Sequence, residues 1–85
     1  MTDIKNTLRH FIVANYLPGE SMENLKDETP LRTSGVLDSM STLALVSFIE
    51  ERFGISLEAH ETGIEYFDRI EDIAKLVEQK RRAGA

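Results

Sequence analysis

Cysteine is absent from the 85 residues, so neither a disulfide nor a thiolate metal site can staple this fold. A cytoplasmic setting fits that absence. Tryptophan is also missing and aromatic residues make up only 7%, which leaves any core mostly aliphatic. No apolar run is long enough to span a bilayer, and the opening MTDIKNTLRHFIVANY mixes charges among its apolar positions, so it reads as part of the fold rather than as a secretory segment. HExxH, cysteine-pair, glycine-rich phosphate-loop and GxSxG patterns are all lacking, and His10 and His60 read as surface residues. What remains is 41% hydrophobic and 29% charged, the composition of a soluble globular domain. This length allows one domain with one modest core, too small for a deep catalytic pocket.

The formal net charge of -5 is unevenly spread. From Asp38 to Asp72 there are nine acidic residues against Arg52 and Arg69. An acidic middle disfavours nucleic-acid backbones and suits partners with basic surfaces, although a solvated acidic face explains it equally well.

Hydrophobic spacing predicts an all-α fold of four helices. Ile4, Leu8, Phe11 and Ile12 recur at helical intervals, predicting a first helix over about 2–16 with Thr2 as N-cap and a stop at Leu17-Pro18-Gly19. Residues 17–38 lack sustained periodicity and read as one long ordered loop pinned by Leu25, Leu31, Val36 and Leu37. A second helix over 39–53 is marked at both ends, by Asp38 as N-cap and Gly54 as a left-handed C-cap. Its apolar stripe is read as Leu43, Val46, Ile49 and Phe53, widened by Leu45. A short third helix is expected over about 59–66. A last helix is expected over 69–81, opened by an Asp68–Glu71 capping box, with Ala83 to Ala85 frayed.

The run GVLDSM, followed by an amphipathic helix ending RFGI, resembles the acyl carrier and peptidyl carrier proteins. Their hallmark is a modified serine in an Asp-Ser-Leu type motif, which Asp38-Ser39-Met40 matches with Met for Leu, a swap of similar volume. The resemblance covers nearly the whole chain and implies a four-helix carrier-protein bundle. It implies 4′-phosphopantetheine on Ser39, with Asp38 and Met40 beside the attachment point and Asp38 helping to position metal during transfer. The carrier is then not an enzyme but the substrate of a phosphopantetheinyl transferase, holding acyl or aminoacyl cargo as a thioester. Its further partners would be an acyl or amino-acid adenylating ligase and a downstream synthase or transferase, met by a cytoplasmic monomer with no membrane span.

Partner docking is expected on the second helix, through Met40, Ser41, Ala44, Ser47, Phe48, Glu50 and Glu51, with Phe48 either on that surface or in the core. Fatty-acid carriers of the family are rich in acidic residues along this helix, whereas its first three turns carry Ser41, Thr42, Ala44 and Ser47. The phrase GVLDSMSTL is closer to freestanding carriers that work with AMP-forming ligases, including D-alanyl and peptidyl types. That implies specialised lipid or secondary-metabolite biosynthesis. The rival readings are a structural or regulatory binding module with the same fold and no prosthetic group, and a small hydrolase using Ser39 as nucleophile.

Overall fold

The computed structural model describes residues 2–17, 19 and 25–84. The Thr2 side chain, expected as a cap, lies outside what is described, as do Pro18 and residues 20–24 of the long loop and Ala85. The fold is an all-α bundle of four helices, with no strand among the described residues: α1 (Thr2–Tyr16), α2 (Ser39–Phe53), α3 (Ile64–Phe67) and α4 (Ile70–Gly84). A 3-10 turn, Ala59–Thr62, precedes α3.

Helix α1 packs chiefly on α4, because each carries an aliphatic stripe at helical spacing. Ile4, Leu8 and Ile12 of α1 bury against Ile70, Ile73 and Val77 of α4, and Phe67 is the largest side chain fully enclosed between the elements. From the long connection Leu25, Leu31 and Leu37 are buried and Val36 is half-buried, so the described part of this loop is a layer of the core.

Polar contacts hold the loop where apolar ones cannot. Asp27 accepts from Lys5 Nζ at 2.9 Å and from the Arg9 guanidinium, and Arg9 Nε donates to the Leu25 carbonyl at 2.7 Å, tying the loop to α1. Asp68 ties it to the α3–α4 junction: its carboxylate accepts from the Arg32 and Thr33 amides at 2.9 and 3.0 Å and from the Thr33 hydroxyl. The Asp68 carbonyl accepts from the Leu31 amide at 2.6 Å.

This arrangement corrects the expected Asp68–Glu71 capping box. The Asp68 carboxylate serves the loop, and the Glu71 amide instead donates to the Asp27 carbonyl at 3.1 Å. A capping box does form earlier, between Glu58 and Glu61 at the 3-10 turn. The short helix expected over 59–66 is divided at Gly63, whose extended backbone (φ -75°, ψ 173°) ends the 3-10 turn and starts α3. The last helix starts at Ile70 rather than 69 and continues to Gly84, beyond the expected end at 81, because Arg82 and Ala83 favour helix and no breaker precedes Gly84.

Hydrogen bonds from the Thr33 and Arg32 amides hold the Asp68 carboxyl below its ordinary value, and the Lys5 ammonium does the same for Asp27. A carboxylate depressed in the folded state contributes stability above its unfolded pKa of about 4 and loses it as pH falls through the folded value. Stability should therefore be flat near neutral pH and decline below about pH 4. Asp68→Ala should lower stability at pH 7 by about 1–2 kcal/mol, allowing for partial exposure, and flatten the acid decline. Urea unfolding across pH measures both.

Candidate functional site

Ser39 is the first residue of α2, and its placement follows from the residues on either side. Leu37, only 2% exposed, anchors the incoming chain in the core, and its amide donates to the Leu31 carbonyl at 2.9 Å. Asp38 then takes extended geometry and caps the helix, its Oδ1 accepting from the Ser41 amide at 2.8 Å. Thr42 closes the first turn, its amide and hydroxyl both donating to the Asp38 carbonyl. The Ser41 amide holds the Asp38 carboxyl below its ordinary value, so the cap is anionic at neutral pH.

Asp38, Ser39 and Met40 are all exposed. The Ser39 hydroxyl and amide enter no hydrogen bond among the described residues, whereas the Met40 amide, like that of Ser41, faces the Asp38 carboxylate. An open hydroxyl beside an unpaired amide at the positive end of a 15-residue helix suits an attached anionic group. No histidine is hydrogen-bonded to Ser39 among the described residues, and His60 instead lies 3.5 Å from Glu58. No cluster of three or more potential metal ligands occurs among the described residues, and no described helix is long and apolar enough to cross a membrane.

The seven residues expected to dock partners do not share one surface. Met40, Ala44, Ser47 and Glu51 are exposed and recur at helical intervals, forming an outer face next to Ser39. Ser41 is half-buried, with its carbonyl 3.5 Å from the Tyr16 hydroxyl of α1. Phe48 is half-buried and stacks on Phe11 of α1, ring centroids 4.1 Å apart, so it braces the helix pair. Glu50 points to the next connection, where its carboxylate accepts from the Leu57 amide at 2.8 Å.

Leu43 corrects the expected apolar stripe. The buried residues of α2 are Thr42, Leu45 and Ile49, whereas Leu43 is 60% exposed. Thr42 can occupy the inner face because its hydroxyl is satisfied within the first turn, and this rotates the buried side away from Leu43. Leu43 therefore stands one turn from Ser39 and beside Met40, which is 76% exposed, giving an apolar pair next to the serine. Counting Thr42 as a core residue is the sequence signal that would have found it.

The chain matches no protein-family model and no curated protein. It is similar to a chain in a crystal structure of an FAD-dependent dehydrogenase, with 34% identity and a TM-score of 0.74 over 82% of this chain and 97% of that one. The two chains belong to one family. The matched span makes that chain only about 72 residues long, close to the size of this one and far below the pair of βαβαβ halves that a doubly wound dinucleotide fold requires.

Proposed function

We propose that this protein is an acyl or aminoacyl carrier that bears 4′-phosphopantetheine on Ser39. The observation that carries the reading is the exposed Ser39 hydroxyl, free of partners among the described residues, at the capped start of α2. A phosphopantetheinyl transferase would form the phosphoester at Ser39 Oγ and accept the hydroxyl proton, while the nucleotide part of coenzyme A leaves. The group supplies a thiol on a flexible arm, which holds cargo as a thioester. The chain's own part is to present Ser39 on a fixed turn, to place the remaining first-turn amide near the phosphodiester, and to offer Met40 and Leu43 to partner enzymes.

Asp38 is anionic where the phosphodiester would sit. Its carboxylate is directed onto the Ser41 and Met40 amides, which draw its charge into the cap and leave the Ser39 amide for the incoming anion.

Such a carrier works with an adenylating ligase and a downstream synthase or transferase in the cytoplasm, in specialised rather than housekeeping metabolism. The uncharged face of Met40, Ala44 and Ser47 supports the specialised role. The likeness to a chain of about 72 residues in an FAD-dependent dehydrogenase crystal structure adds a class of partner to assay: a flavin enzyme that oxidises tethered cargo. This chain is all-helical and lacks a glycine-rich phosphate loop, so the flavin chemistry would belong to that partner.

Transfer of a fluorescent coenzyme A analogue by a broad-specificity phosphopantetheinyl transferase tests the reading. A labelled band is expected, and an unlabelled one beside a labelled control carrier contradicts it.

A further inference from the structure

Helices α1 and α2 touch through the Phe11–Phe48 stack, and beside it lies an open groove of about 750 Å³. The groove is floored by the two rings and edged by Asn6, His10 and Asn15 of α1 and Arg52 of α2. It lies on the other flank of α2 from the serine: nine residues separate Ser39 from Phe48, a rotation of about 180° at 3.6 residues per turn. Whatever fills it leaves Ser39 accessible.

We propose that this groove is a docking site for an acidic amphipathic helix of a partner protein. Its shape supports a helix, since a channel between two helices seats the apolar stripe of a third. On α1 the groove runs from Asn6 to Asn15, about 13 Å, which accommodates two to three helical turns. Its charge supports an acidic helix. The lining contains no carboxylate although the chain as a whole carries -5. Arg52 lies over the Phe53 ring at 5.8 Å and enters no ion pair or hydrogen bond among the described residues, which leaves its guanidinium to accept a carboxylate. Leucines of the incoming helix would cover Phe11 and Phe48, and its glutamates would meet Arg52 and the amides of Asn6 and Asn15. The site is built without Ser39, so it stands whether or not the serine is modified.

The probe is a synthetic helix of leucine, glutamate and alanine, compared with the same helix carrying lysine for glutamate, titrated into the 15N-labelled chain. Amide shifts confined to Asn6, His10, Phe11, Asn15, Phe48 and Arg52 are expected with the glutamate helix. Arg52→Glu, an exposed change, should weaken that helix about tenfold and strengthen the lysine one. Ser39→Ala and Met40→Ala should leave binding unchanged. Absence of shifts up to about 1 mM peptide overturns the proposal, as do equal responses to both helices or shifts centred on Met40 and Leu43.

Discussion

Ser39→Ala should abolish covalent modification by a phosphopantetheinyl transferase while leaving the stability of the chain within about 0.5 kcal/mol of the parent. The two parts follow from one geometry. The Ser39 side chain is exposed and enters no hydrogen bond among the described residues, so its hydroxyl holds nothing together. The cap beneath it belongs to Asp38 and Thr42, which alanine at 39 does not touch. Circular dichroism and urea melts check the fold, and intact mass checks the modification. A variant that unfolds would mean that Ser39 has a structural role, and one that is still modified would place the attachment elsewhere.

Phe67→Ala should produce the largest loss of stability, about 3–5 kcal/mol, from removed transfer energy and the cavity left behind. Phe67 is fully buried and is the largest such side chain in the core. A domain of this size has about 5–15 kcal/mol in total, so the variant should approach the limit of folding at 37 °C. The loss also reaches the site. Phe67 precedes Asp68, whose carboxylate holds Arg32 and Thr33, and that part of the loop delivers Leu37 and Asp38 to the start of α2. Slower modification at temperatures where the variant is still folded is the expected result, measured against urea melts of the same preparation.

The helices that carry the site were legible because their signals are local. Asp38 and Gly54 mark α2 through cap chemistry, and Gly54 does adopt the left-handed conformation (φ 66°) with its amide donating to the Glu50 carbonyl. The aliphatic stripes of α1 and α4 declare their buried faces by period alone. Long-range competition defeated the same logic at Asp68. A capping residue three positions before a glutamate is a good local signal, but two loop amides 35 and 36 residues away claim its carboxylate. Distance in sequence also hid the roles of Asp27 and Phe48, each set by a partner on α1. Leu43 was misassigned because a threonine that satisfies its own hydroxyl can replace an aliphatic residue on the inner face.

The exposed face beside Ser39 is consequently smaller and more apolar than a reading of α2 by residue type suggests. Met40 and Leu43 stand beside Ser39, the acidic Glu50 is tied to Leu57, and Phe48 faces α1. If the proposed carrier role holds, enzymes that meet the chain at Ser39 should bind it with little dependence on salt.

Attachment at Ser39 is the central claim, and mass spectrometry tests it most directly. The chain would be incubated with coenzyme A and a broad-specificity transferase, digested with trypsin, and the Thr33–Arg52 peptide fragmented, since it also contains Ser34, Ser41 and Ser47. The account predicts one phosphopantetheine per chain, with fragment ions placing it on Ser39. An unmodified peptide beside a fully converted control carrier, or a group on any of the other three serines, would contradict it.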